Sequence, residues 1–187
     1  MSAHDLPFPG CYWVIPGTLM AGPYPGGHDR ESTEQRLRAL LDCGIQSVID
    51  LMDEDETEGI EEGLHYFPYE DMLEDLGEER NIVVEIARYG IEAGSLPDDA
   101  EVSMILDSID AEIDGRNSPT MVHCSDGLGR TAVIVGCYLA RHDIAVGAEV
   151  IERIQALRAV GHPESTDGRS PENIVQERMI SRWKPGR

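Results

Sequence analysis

Val122-His123-Cys124-Ser125-Asp126-Gly127-Leu128-Gly129-Arg130-Thr131 joins two apolar segments of unlike length. Before it, Thr120, Met121 and Val122 make a short strand with β-branched character. After it, Ala132 to Leu139 is almost wholly apolar and too long for a second strand, so it reads as a buried helix. A strand, a glycine-bearing loop and a helix start in that order form a βα connection. Cys124 and Arg130 stand at the two ends of the loop, close enough for one turn of chain to wrap a single anion. The amides of Ser125, Asp126, Gly127, Leu128, Gly129 and Arg130 can point inward, and the helix N-terminus adds the positive end of its dipole. Gly127 and Gly129 allow backbone conformations that side chains would block. The planar fork of Arg130 suits two oxygens of a phosphate.

The same field acts on the thiol. A cysteine at a helix N-terminus beside an arginine is expected to fall from a pKa of about 8.5 into the range of roughly 3.5–7.5. Cys124 is then a thiolate at neutral pH, able to attack phosphorus. Thr131 can donate its hydroxyl to that sulfur. His123 is expected to order the loop, since a thiol already ionised needs no base.

These residues resemble the phosphate-binding loop of the cysteine-dependent protein tyrosine phosphatases, in particular the dual-specificity type with its His-Cys-x-x-Gly-x-Gly-Arg-Thr signature. The segment Tyr12-Trp13-Val14-Ile15-Pro16-Gly17, continuing to Tyr24-Pro25-Gly26, is similar to the start of bacterial dual-specificity-like phosphatases. Asp126 departs from the usual small residue. His-Cys-Ser-Asp-Gly is also carried by myotubularin-type phosphoinositide phosphatases, which have a second aspartate where this chain has Gly129. The resemblance implies hydrolysis through a phosphocysteine, with Cys124 as nucleophile and Arg130 as phosphate ligand, and with no metal or organic cofactor.

It also implies a general acid, an aspartate following a Phe-Pro-x-x stretch, and Phe67-Pro68-Tyr69-Glu70-Asp71 matches that pattern. Expelling an alkoxide or phenoxide at neutral pH gains typically ~10²–10⁴-fold from such a group. The separation between Asp71 and Cys124 exceeds the family's usual spacing. A helical insert over residues 72–96 would account for it, with Ile82, Val83, Ile86 and Tyr89 as its apolar stripe. Asp98 is the rival acid, although Pro97-Asp98-Asp99 reads as a helix start. Glu92 and Asp126 are further candidates.

The chain has 187 residues and a net charge of −21, with Lys184 its only lysine. That length fits one phosphatase domain over residues 1–187. The charge argues against nucleic acid as a partner. No apolar run is long enough for a membrane span. Cys11, Cys43, Cys124 and Cys137 show neither a zinc spacing nor a CxxC pair, so they read as free thiols in a reducing cytoplasm.

Elsewhere the pattern alternates. Tyr12–Ile15 and Leu19–Gly22 form a hairpin, and a helix capped by Ser32 or Thr33 runs to about Cys43. A strand follows at residues 45–51, and residues 53–62 form an acid-rich solvated loop. From residue 64 an aromatic strand runs into Pro68 and then an acid, and residues 97–116 read as a long helix. Another helix begins at Ile144, and Ser170 caps the last one. In that last segment Gln176 or Asn173 is placed to hold a hydrolytic water. The expected fold is α/β: three layers, with a mixed, largely parallel central sheet and helices on both faces. The expected substrate is a phosphorylated protein or peptide, phosphotyrosine first. A phosphoinositide or small-molecule phosphatase and a catalytically weak phosphopeptide-binding module are the alternatives.

Overall fold

A computed structural model describes residues 6–54, 56, 66–161 and 168–187. Five strands form one sheet: β1 (Tyr12–Ile15), β2 (Leu19–Gly22), β3 (Ser47–Asp50), β4 (Glu85–Arg88) and β5 (Thr120–His123), in the order β1-β2-β5-β3-β4. Only β1 and β2 are antiparallel; β2 with β5, β5 with β3 and β3 with β4 are parallel. The helices are α1 (Arg30–Asp42), α2 (Glu70–Glu79), α3 (Asp99–Asp110), α4 (Arg130–Arg141), α5 (Ala148–Gly161) and α6 (Ile174–Arg182). This is the three-layer, largely parallel α/β arrangement expected from the sequence.

The parallel register sets the site. Asp50 lies level with His123 on one side and with Arg88 on the other. The residues that leave β3, β4 and β5 therefore emerge together at one edge of the sheet, where α/β folds place their ligands. β5 is buried along its whole length, and α4 is buried from Arg130 to Ala140. A helix apolar on every face has to sit inside the domain. Val133, Ile134, Val135 and Leu139 are fully buried and anchor the loop that precedes them.

Several sequence expectations change. The segment over residues 78–89 is not a helical insert. α2 stops at Glu79, Asn81 adopts the left-handed conformation with φ 57°, and β4 follows as the edge strand of the sheet. The β-branched run Ile82-Val83-Val84 favours strand geometry, and its apparent 3–4 spacing was coincidental. Tyr66–Tyr69 is irregular rather than a strand, and residues 64–65 lie outside the described residues. α1 is capped by Asp29, with Ser32 as its reciprocal capping-box partner. Asn173, not Ser170, caps α6. α3 continues as a π-helical turn over Ala111–Gly115. The helix expected from Ile144 begins at Ala148.

No helix among the described residues is long and apolar enough to cross a membrane. None of the four cysteines is in a disulfide, and no metal-holding group of side chains occurs among the described residues.

Candidate active site

The loop from Cys124 to Arg130 closes into a ring at the carboxyl end of β5. Gly127 is its pivot. It has φ +73°, and a Cβ placed there would stand 2.7 Å from the backbone carbonyl carbon of Gly22. Only glycine meets both demands. The loop is tied to its surroundings by Tyr24 N–H donating to Ser125 O at 3.1 Å and by Ser170 Oγ donating to Leu128 O at 2.8 Å. Asp29, Asp98 and Asn173 cap their helices with side-chain oxygens. α4 begins at Gly129 without a side-chain cap, so its first amides remain for an anion.

Arg130 is buried, and its guanidinium is held from several sides. Nη1 donates to Ile91 O at 2.8 Å and to Glu56 Oε1; Nη2 donates to Glu56 Oε2 at 2.8 Å and to Ser125 Oγ at 3.1 Å. Glu56 thus grips the end-on pair of nitrogens. Nη2 also reaches the loop at Ser125, so the guanidinium is shared between Glu56 and the loop. Burial raises the Glu56 carboxyl, but the bonds from Arg130 and the Asp53 amide outweigh it and hold the group below its ordinary value. Glu56 had been read as one acid among many in a solvated loop. Its partner in the structure is Arg130.

The Cys124 thiol departs from expectation. Cys124 is almost fully buried, and that burial pushes its thiol up. The Asp126 carboxylate pushes in the same direction, with Oδ1 accepting from Sγ at 3.6 Å. The Thr131 hydroxyl and amide and the Arg130 charge pull down, but the net shift is upward. The expected lowering by the helix N-terminus is therefore outweighed by burial of the thiol, with the Asp126 carboxylate adding to it. Thr131 Oγ1 is buried and has no partner but this sulfur to turn to among the described residues, so its proton is available to a thiolate. Asp126 does not present its side chain to an anion. Its Oδ1 accepts from Leu128 N–H at 2.8 Å and so occupies one loop amide.

A consequence follows for pH dependence. Asp126→Ala removes the charge that raises the thiol and frees the Leu128 amide. The limb on which activity rises as Cys124 ionises is expected to move to lower pH. The pH dependence of iodoacetamide inactivation should move with it, and an unmoved limb would show that the carboxylate does not reach the sulfur.

His123 is buried at the base of the loop. Nδ1 lies 3.3 Å from Cys124 O and Nε2 lies 2.8 Å from the Tyr69 hydroxyl. Burial lowers its pKa, so the ring is neutral. A neutral ring that donates from Nδ1 to the carbonyl accepts at Nε2 from Tyr69. Behind it, buried Asp50 accepts from Arg88 Nε at 2.9 Å and from Met52 N–H at 2.8 Å.

The aromatic wall of the site was not legible in the sequence. Tyr24, whose amide donates to Ser125 O, packs against Tyr66 with ring centroids 4.7 Å apart and planes tilted by 50°. Burial, and then the charges of Asp126, Glu56 and Cys124, raise the Tyr66 phenol. On the other rim, Glu172 and Gln176 abut Gly129. A Cβ on Gly129 would collide with Glu172 Oε2 and stand 2.8 Å from Gln176 Nε2.

The acid candidates separate clearly. Asp71 lies exposed in the first turn of α2. It lines a cavity with Arg30, Phe67, Pro68, Glu70, Met72, Asp75 and Arg88, and no residue of the phosphate loop belongs to that cavity. Asp71 thus faces that cavity from the first turn of α2. Asp98 caps α3, accepting from Ala100 N–H and Glu101 N–H, both at 2.8 Å. Glu92 follows Ile91, whose carbonyl sits on Arg130.

A buried cysteine and a buried arginine at the two ends of a glycine-pivoted loop, before an uncapped helix, define the cysteine-dependent phosphatase class. The chain belongs to the family described as "Swiss Army Knife protein, DSP-PTPase phosphatase domain", whose model matches residues 9–175. It is similar to the dual specificity protein phosphatase CDC14AB of Danio rerio, with 38% identity over 65 residues, which are 35% of this chain and 10% of that protein. The chain therefore matches only a small part of that relative's length. Among solved structures, kinase-associated phosphatase with its catalytic-site cysteine replaced by serine superposes with a TM-score of 0.64 at 19% identity, covering 92% of this chain and 91% of the other. PTPMT1 in complex with PI(5)P gives 0.64 at 19% identity, covering 92% and 93%.

Proposed function

We propose that this protein hydrolyses phosphomonoesters through a phosphocysteine intermediate and that its substrate is phosphotyrosine in a protein or peptide, with phosphoserine and phosphothreonine tolerated. The observation that carries the reading is the loop itself: Cys124 at one end, Arg130 at the other with Nη2 donating to Ser125 Oγ, and a helix start without a side-chain cap between them and the core. Cys124 attacks phosphorus. Arg130 and the amides of Ser125 to Arg130 take the equatorial oxygens and the charge that builds on them. Thr131 donates to the sulfur when it leaves, and His123 holds the Cys124 carbonyl.

Two features favour a phosphorylated aromatic residue over a phosphoinositide. Tyr24, whose amide donates to Ser125 O of the loop at 3.1 Å, packs its ring against Tyr66 and so offers aromatic surface beside the loop. The acidic side chains that touch the loop or its arginine are Glu56, Asp126 and Glu172. A headgroup bearing several phosphates would bring its extra charge against these carboxylates, whereas a single phosphate on a neutral ring would not.

Turnover of a phosphotyrosine peptide, a phosphothreonine peptide and a phosphoinositide in mixed micelles, measured side by side, tests this. The peptide with phosphotyrosine is expected to have the highest kcat/KM. A phosphoinositide turned over faster would make the protein a lipid phosphatase. Tight peptide binding with no turnover would make it a binding module.

A further inference from the structure

We infer that Glu92 is the general acid of this site, protonating the leaving oxygen in the first step and taking a proton from water in the second. The inference rests on the phosphatase reading above and supplies the group that reading lacks.

The placement comes from the sheet. β4 runs parallel to β3, and its last residue, Arg88, lies level with Asp50 and hence with His123. The chain after Arg88 leaves the sheet at the same edge as the phosphate loop. It continues along β3, with Tyr89 N–H donating to Asp50 O at 2.8 Å and Ile91 N–H to Leu51 O at 3.2 Å. Ile91 is buried, and its carbonyl accepts from Arg130 Nη1 at 2.8 Å. The backbone at residue 91 is thus fixed against the guanidinium that would hold the phosphate. Glu92 is the next residue, exposed, at the start of a turn closed by Ser95 N–H donating to Glu92 O at 3.0 Å. Ser95 Oγ lies 3.2 Å from Glu92 Oε2 and limits the carboxyl's travel.

The other carboxyls near the edge are committed. Glu56 holds Arg130, Asp50 is buried on Arg88, and Asp98 caps α3. Asp126 lies beside Sγ, on the nucleophile's side. In an in-line displacement the leaving oxygen departs from the opposite face of phosphorus, so Asp126 is on the wrong side to protonate it.

The chemistry balances. The Cys124 thiolate forms the S–P bond as the P–O bond to the leaving group breaks, and the Glu92 carboxyl gives its proton to that oxygen. A water molecule then attacks phosphorus, its proton passes to the Glu92 carboxylate, and the S–P bond breaks to return the thiolate and release phosphate.

The test measures kcat and kcat/KM across pH for the native chain, Glu92→Gln, Glu92→Asp, Glu172→Gln and Asp71→Asn, on two aryl phosphates. One has a poor phenol leaving group and the other a good, nitro-substituted one. Glu92→Gln is expected to lose about 10²-fold on the poor leaving group and under tenfold on the good one. It should also lose the limb on which activity falls as the acid deprotonates, and Glu92→Asp should recover part of both. An unchanged leaving-group dependence and pH profile in Glu92→Gln would overturn the assignment, as would the same selective loss appearing in Glu172→Gln or Asp71→Asn instead. Absence of turnover by the native chain on both esters would instead refute the phosphatase reading itself.

Discussion

Cys124→Ser is expected to abolish turnover, by roughly 10⁴–10⁶-fold, while leaving phosphopeptide binding intact. The serine hydroxyl would need a base, and the site has none placed to serve it. His123 is neutral, and both of its ring nitrogens are occupied, by the Tyr69 hydroxyl and the Cys124 carbonyl. Thr131 is a donor toward the sulfur position and cannot help an alcohol ionise. The residues that bind phosphate are unchanged, because Arg130 remains held by Glu56 and Ile91 and the helix amides remain uncapped. Fluorescence binding of a phosphotyrosine peptide, set beside turnover, checks both halves. Retained turnover in Cys124→Ser would remove the phosphocysteine from the mechanism. Loss of both binding and turnover would mean that the loop had not kept its shape, which circular dichroism of the variant would reveal.

The part of this site that was legible in the sequence is the part built from consecutive residues. Cys124, Gly127 and Arg130 share one loop, and strand, loop and helix follow from local pattern alone. The rest is assembled from residues distant in the chain. Glu56 lies in an acidic run within a protein that has 36 Asp and Glu residues, so nothing local marks it as a partner of Arg130. Glu92 is brought to the loop by β4, and β4 was hidden because Ile82, Val83, Ile86 and Tyr89 also satisfy a helical spacing. Once that segment is a strand, the extra length between Asp71 and Cys124 needs no insert, because Asp71 belongs to the preceding helix. Asp126 was visible as an odd residue, but its effect on the thiol depends on a distance that only the folded loop sets. Ser170 shows the same limit: it reads as a helix cap, yet its hydroxyl is spent on Leu128 O at the active site.

Arg130→Lys is expected to lower kcat/KM by about 10³-fold, with kcat falling more than KM rises. An ammonium is a point charge and cannot replace the planar fork that meets two phosphate oxygens while its other nitrogens stay bonded to protein. Here that loss is compounded by position. Arg130 donates to Ile91 O, Ser125 Oγ and both oxygens of Glu56, and a lysine nitrogen has only three protons for all of them and the phosphate. Its charge would be drawn to the Glu56 carboxylate, away from the loop. The Ile91 carbonyl would lose its donor, which costs about 1–3 kcal/mol of stability for a buried polar group left unpaired. It would also loosen the segment that carries Glu92. Glu56→Gln separates these effects. It keeps a side chain of the same shape but removes the charge that competes with phosphate for Arg130, so kcat should fall by no more than about 10²-fold through poorer positioning. Steady-state kinetics on an aryl phosphate, with thermal melts of both variants, decide the point. A lysine variant within tenfold of the native kcat/KM would mean that the loop amides carry the transition-state charge without the arginine fork.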